Sequence, residues 1–264
     1  MRRAVASLAF ISTLTTVGYA QTKPAPKFRI LDNSFLVEEA FNQERGIFQN
    51  IFIVTRSTDR RWDGAFTQEW PLGSVRHQFA FTIPGSLVSG TAAVGDIVLH
   101  YRFQLWTEDG RLPAFSPRVS VILPSSDDRR TRVGSDPGWQ INLPFSRAFG
   151  RLYVHANVGA TWLKDRPESG ETPARWTTTP SVAASANWAV GRMFQVMLEA
   201  YGQSASRIDA RRENTVIVAP GFRTGWNFGE RQVVVGLGVP FTRGDVHDRG
   251  ALVYVSLEMP WKNK

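Results

Sequence analysis

The segment from Ala251 to Trp261 alternates without a break: Val253, Val255, Leu257, Met259 and Trp261 share one parity, Tyr254, Ser256 and Glu258 the other. Successive side chains of a strand point to opposite faces, so this is a strand with one apolar and one polar face. In a soluble sheet the apolar face meets a packed core; in a barrel held in lipid it meets hydrocarbon and the polar face lines the lumen. The pattern recurs. Val75, His77, Phe79, Phe81 and Ile83 alternate with Arg76, Gln78, Ala80 and Thr82, and Ile97, Leu99, Tyr101, Phe103 and Leu105 with Asp96, His100, Arg102 and Gln104. Leu152, Val154, Ala156, Val158, Ala160 and Trp162 alternate with Tyr153, His155, Asn157 and Thr161, and Phe194, Val196, Leu198 and Ala200 with Gln195, Glu199, Tyr201 and Gln203. Ile47 to Arg56 is apolar on both parities, which leaves its facing open.

A transmembrane helix needs about 20 apolar residues, and no run beyond the N-terminus approaches that length. If the chain spans a membrane it must therefore be a closed barrel, because lipid cannot satisfy open backbone groups. Arg2 and Arg3, the apolar stretch Ala4 to Ile11 and Gly18-Tyr19-Ala20 before Gln21 have the order of a secretory signal peptide, removed after Ala20. Ser12, Thr13, Thr15 and Thr16 interrupt the stretch too early for an anchor helix. The chain has no cysteine, consistent with passage through an oxidising compartment without disulfides. Its net charge of +8 includes the two leader arginines, and its basic residues are scattered among acids, which argues against nucleic acid as a partner. Contact with anionic lipopolysaccharide, or an anion-attracting lumen, accounts for the excess.

About twelve strands are expected, an even number as bacterial single-chain barrels require. They fall near 46–56, 62–71, 74–83, 94–105, 114–124, 138–146, 151–163, 176–190, 192–204, 213–228, 231–242 and 250–261. Connections alternate in character. Ser125–Pro137, Lys164–Arg175, Ala205–Glu213 and Arg243–Arg249 are polar and long, whereas Leu72-Gly73, Arg147–Gly150, Gly191 and Gly229-Glu230 are tight. Long outer loops and short periplasmic turns produce this alternation when both termini are periplasmic; Trp106–Pro113 is long for its side. All nine tryptophans fall near strand ends: Trp62, Trp139, Trp162 and Trp176 at the outer side, and Trp70, Trp106, Trp188, Trp226 and Trp261 at the other. Two interfacial girdles need that distribution, because an indole sits best at a headgroup boundary with its N–H wet. The fold expected is all-β, an antiparallel transmembrane barrel over 46–264, preceded by a signal peptide (1–20) and an N-terminal segment (21–45).

The lumen parity carries Arg76, Asp96, His100, Arg102, Arg118, His155, Glu199, Arg223 and Glu258. In a bore of this size such groups either form a charged constriction that selects solutes or pair with one another and fill the lumen. Glu38 and Glu39 precede the first strand. The segment carrying them is either a solvated periplasmic tail or a plug whose carboxylates reach Arg102 or Arg118 through charge-assisted bonds. For catalysis, His155 and Asn157 share a face with Ser120 or Ser185 as strand neighbours, but there is no Gly-x-Ser-x-Gly elbow. His77, on the apolar parity, and His247, in an outer loop, complete the histidines; no spacing suits a metal, and no cofactor is implied. Asp127-Asp128 beside Arg129-Arg130 reads as a solvated loop.

Certain words are more specific. Phe35–Glu44 (FLVEEAFNQE), Phe66–Leu72 (FTQEWPL), Gly95–Arg102 (GDIVLHYR), Pro117–Pro124 (PRVSVILP) and His155–Gly159 (HANVG) resemble a family of outer-membrane transporters labelled for the meta-pathway of phenol degradation. The resemblance implies an outer-membrane channel passing small solutes, apolar or aromatic ones among them, and assigns no substrate residues. Outer-membrane lipid, lipopolysaccharide, the barrel-assembly machinery and a small-molecule solute are the partners expected. Lys262-Asn263-Lys264 follow the terminal aromatic, so that machinery would read Trp261 internally. The alternatives are a structural or plugged surface barrel and a lipid-modifying enzyme.

Overall fold

The computed structural model describes residue 30 and residues 34–109, 111–126, 137–165, 175–206 and 212–261. The proposed leader, the Asp127–Arg130 charges and the three terminal residues lie outside these. The ladders are β1 (Ile47–Arg56), β2 (Trp62–Leu72), β3 (Ser74–Val88), β4 (Thr91–Val94), β5 (Val98–Phe103), β6 (Ala114–Phe115), β7 (Arg118–Ile122) and β8 (Gly138–Phe149). They continue with β9 (Leu152–Asp165), β10 (Arg175–Ala189), β11 (Phe194–Ala205), β12 (Glu213–Phe228), β13 (Arg231–Gly238), β14 (Phe241–Gly244), β15 (Asp248–Arg249) and β16 (Ala251–Pro260). All pairings are antiparallel, in the order β11-β10-β9-β8-β7-β5-β3-β2-β1-β16-β13-β12, and β12 pairs back onto β11 to close a barrel of 12 strands. The short pieces β4, β6, β14 and β15 extend β5, β7, β13 and β16.

Closure removes every edge, which is how a sheet satisfies its backbone in lipid. The outward parity is apolar and exposed along the strands: Phe52, Val54, Val119, Ile141, Val158, Val182, Val196, Leu198, Val216 and Val253. The inward parity is polar and buried: Gln49, Gln78, Arg102, Ser120, Ser146, His155, Asn157, Ser185, Asn187, Gln195, Glu199, Arg223 and Ser256. For β1 the facing is now fixed. Phe52 and Val54 point out, Gln49 and Ile51 in, because an apolar cluster inside the barrel (Phe35, Ile51, Met197, Val234, Leu252, Tyr254) accepts Ile51.

Trp139 and Trp162 face each other across β8 and β9. Trp70 stacks on Phe79 at 6.0 Å, and the Arg56 guanidinium lies 5.4 Å from the Trp62 ring. Gly73, Gly150 and Gly229 take positive φ in the tight turns at the end bearing both termini of the barrel.

Two features differ from the sequence reading. β3 runs on to Val88, past Pro84 and Gly85, and returns through Ser89-Gly90 into β4. Pro84 is tolerated because the partner strand bulges there: Gly95-Asp96-Ile97 stand against Ile83-Pro84, and the Pro84 carbonyl accepts from Gly95 N at 2.8 Å. Arg243–Arg249 is also a short turn, since β14 and β15 pair as far as Thr242 and Asp248. Asp245 Oδ2 accepts from Asn214 N at 2.6 Å, and Asp245 N donates to Asn214 O, so the polar residues there staple a turn. The connection Trp106–Pro113 is ordered by its own side chains: Trp106 Nε1 donates to Pro113 O, and Asp109 Oδ1 accepts from Arg111 N and Leu112 N, each at 2.9 Å. Those backbone bonds, Leu112's first and Arg111's second, hold the exposed Asp109 carboxyl below its ordinary range.

Candidate functional site

Residues 34–45 belong to no ladder and run through the barrel interior. Twelve strands enclose more space than short inward side chains fill. An extended chain placed there must find partners for its backbone groups on the wall. It finds them in strand order. Phe35 N and Leu36 N donate to the Glu199 carboxylate on β11, and Asn157 on β9 both accepts from Glu38 N and donates to Glu38 O at 2.8 Å. Ser146 on β8 accepts from Ala40 N at 2.7 Å; Gln104 Nε2 donates to Ala40 O and its Oε1 accepts from Asn42 N. Gln78 on β3 accepts from Gln43 N at 2.7 Å, and Gln43 bonds Gln49 just before the chain joins the wall. At the other end Asn187 Nδ2 donates to Ser34 Oγ, and Gln195 Nε2 to Ile30 O.

Phe35 anchors this segment. Its ring lies 5.4 Å from that of Tyr254 and fills a depression made by Gly221, Gly236 and Gly238. A Cβ added at Gly236 would stand 2.5 Å from the ring and one at Gly221 2.8 Å, distances no side chain accepts. The glycines are there to let an aromatic ring lie against the barrel backbone.

The two carboxylates diverge. Glu38 Oε1 lies 3.1 Å from Arg102 Nη1, and its Oε2 accepts from Arg118 Nε at 2.8 Å and Asn142 Nδ2 at 2.6 Å. Arg102 and Arg118 are direct register partners on β5 and β7, an opposition of like charges that destabilises a sheet unless an anion intervenes. Glu38 is that anion. Arg102 is buried and also donates to Glu39 O and Phe41 O, with Glu69 at 3.8 Å. Glu39 turns the other way: its Oε1 lies 3.1 Å from Arg223 Nη2 and 3.5 Å from His155 Nε2, all three side chains at most 4% exposed.

The other charged residues of the lumen parity separate into groups. His100 accepts from Arg118 at Nδ1, so its Nε2 donates to Thr82 Oγ1 at 2.9 Å. Glu199 holds the Phe35-Leu36 backbone and Arg223 also donates to Gln195. Asp96, in the bulge, is buried and accepts from Ser126 N at 2.9 Å. Arg76 departs from the expected lumen position: exposed near the terminal end of β3, it donates to Gln104 O and Leu105 O and lies over the Phe103 ring at 4.9 Å. As the third residue of β3, just after the Gly73 turn, it stands at the rim of the barrel. Glu258 is half-buried opposite Gln49 and Gln232.

Charge-centred reading overlooks the uncharged groups that hold the segment, namely Gln78, Gln104, Asn142, Ser146, Asn157 and Gln195. Their signal is amides and hydroxyls repeatedly placed on the inward parity, where a water-filled bore would tolerate any polar residue and a threaded backbone needs both donors and acceptors.

Between the segment and the wall of β2, β3, β5 and β7 remains a cavity of about 340 Å³. Glu38, Glu69, His100, Arg102 and Arg118 line it together with apolar side chains, Leu36, Val98 and Ile122 among them, and uncharged polar ones such as Thr82 and Gln140; it extends from Arg102 past His100 toward Val98 and the long-loop end. A smaller space of about 130 Å³ adjoins it beside Asn142, Asn157 and Tyr201. Ser146, His155 and Glu39 form a chain of hydroxyl, imidazole and carboxylate, with Ser146 Oγ 2.7 Å from His155 Nδ1. None of the three lines either of these cavities, and Ser146 Oγ accepts from the Ala40 amide, so the chain fastens the segment.

A closed antiparallel barrel with an apolar exterior, tryptophans at both ends and a polar interior defines an outer-membrane type of β-barrel. The fold is similar to an outer membrane channel from Pseudomonas putida F1, with a TM-score of 0.62 and 11% identity over 83% of this chain and 97% of that one. It is also similar to the NanC porin, with a TM-score of 0.54 and 7% identity over 80% of this chain and all of that one. Residues 27–253 match the family described as "Putative MetA-pathway of phenol degradation", and the chain belongs to that family. No curated protein matches the sequence.

Proposed function

We propose that the protein is a passive channel for small solutes in the bacterial outer membrane, gated from inside by residues 34–45. One observation carries the reading. The interior segment is held by side-chain bonds and ion pairs, with no ladder pairing, and beside it lies a cavity of about 340 Å³ that combines charged and apolar walls. Such a segment can leave its seat without breaking a backbone ladder, provided the opposed Arg102 and Arg118 find another anion. The apolar part of the cavity suits solutes with an apolar or aromatic body, in keeping with the family's description. Export by a cleaved leader, insertion by the barrel-assembly machinery and contact with lipopolysaccharide belong to the same reading, as does a role without catalysis. A second reading, a permanently closed structural barrel, draws on the fastening of the segment at both Ser34 and Gln43.

Planar-bilayer recording of the folded full chain tests the proposal. Stable conductance steps, with anion preference reduced in an Arg102→Ala, Arg118→Ala variant, are expected. No conductance at any voltage, in the full chain or in one lacking residues 21–45, would leave the closed structural barrel.

A further inference from the structure

Arg102 and Arg118 face each other across β5 and β7, and Asn142 beside them directs a third donor to the same point. Three donors converging on one carboxylate make a carboxylate site whatever molecule supplies it. Its present occupant, Glu38, belongs to the movable segment, and the same cavity continues past His100 to an apolar wall at Val98 and Ile122. We propose, building on the channel reading, that small organic monocarboxylates with a compact apolar body open the channel by replacing Glu38. The incoming carboxylate takes the Arg102–Arg118–Asn142 seat while its body occupies the cavity. Glu38 is then a built-in competitor.

The exchange balances electrostatically. One carboxylate leaves and one arrives, so the opposed arginines are never left bare, and the displaced Glu38 regains water at the lumen. A neutral solute of the same shape cannot make the exchange, because releasing Glu38 would leave two facing guanidinium charges with only Glu69, 3.8 Å from Arg102, as a carboxylate near them. An inorganic anion satisfies the arginines but leaves the apolar wall unfilled.

The full chain, refolded in detergent and judged by heat-modifiable migration, is tested with benzoate and with benzamide, its neutral isostere. In planar bilayers at constant ionic strength benzoate is expected to raise the open fraction and benzamide to leave it unchanged. By calorimetry Glu38→Ala, in which no carboxylate of the chain competes for the seat, should bind benzoate about tenfold more tightly than the wild type. Arg118→Gln should lose binding. Glu38→Gln serves if Glu38→Ala does not fold, and the benzoate–benzamide comparison needs no variant. Equal responses to the two compounds, or no tightening on removal of Glu38, would overturn the inference. A barrel that conducts chloride but ignores benzoate sinks this inference alone; one that conducts nothing, with or without residues 21–45, removes the channel reading beneath it.

Discussion

Glu38 and Glu39 are chain neighbours whose carboxylates reach opposite walls of the barrel: Glu38 Oε2 lies 2.8 Å from Arg118 Nε and Glu39 Oε1 3.1 Å from Arg223 Nη2. Extended backbone turns successive side chains to opposite sides, so one dipeptide braces β5 and β7 against β12 across the lumen. The two braces differ in character. Glu38 borders the cavity and Glu39 does not, so Glu38 is placed to respond to a solute and Glu39 to hold the segment when it does not respond.

Glu39→Gln should therefore loosen the segment and destabilise the protein. It breaks the buried Glu39–Arg223 pair, a loss of about 3 kcal/mol, moderated by the bond from Arg223 Nε to Gln195 and by the Arg223 guanidinium's other contacts. The denaturation midpoint in lipid, read by gel migration, is expected to fall, and the fall should shrink in the Arg223→Gln background. Equal losses in both backgrounds would show that the pair is not coupled.

Gly236→Ala should expel Phe35 from its depression, since the new Cβ would stand 2.5 Å from the ring. Overpacking of this kind costs about 1–3 kcal/mol. Phe35→Ala should largely remove the penalty of Gly236→Ala, and both variants should raise spontaneous opening in single-channel records. Additive effects would mean that the glycine serves the wall and not the ring.

Removing residues 21–45 should produce a larger conductance and a stronger preference for anions. Arg102, Arg118 and Arg223 would lose Glu38 and Glu39 as partners and present their charge to the bore. Reversal potentials in a salt gradient measure this. An unchanged selectivity would place the limiting constriction outside the segment.

Val182→Arg, on the outward face of β10 and 59% exposed, should destabilise the protein in bilayers by about 2–4 kcal/mol if that face meets hydrocarbon. Equilibrium unfolding from vesicles gives the value. A negligible effect there would contradict the lipid-facing assignment of the strand.

Much of this molecule is legible in its alternation. Val253 out and Tyr254 in, Tyr101 out and Arg102 in, Leu198 out and Glu199 in all follow from a period of two, a rule that acts between adjacent residues and needs no knowledge of the fold. The near-terminal tryptophans follow from the same local logic. The passage of β3 through Pro84 was hidden, because what makes a proline acceptable is a bulge on a partner strand.

The interior segment was legible only as two alternatives. A run such as Phe35–Glu44 has similar composition whether solvated or threaded, and the choice depends on wall residues 80 or more positions away: Asn157 and Ser146 for its backbone, Gly236 for the Phe35 ring, and Arg118 and Arg223 for its two carboxylates. The sequence alone determined a membrane barrel with a polar interior, because strand facing is set by neighbouring residues. Only the tertiary structure decided what fills that interior, because hydrogen bonds and ion pairs across a lumen exist only once closure brings distant strands to face one another.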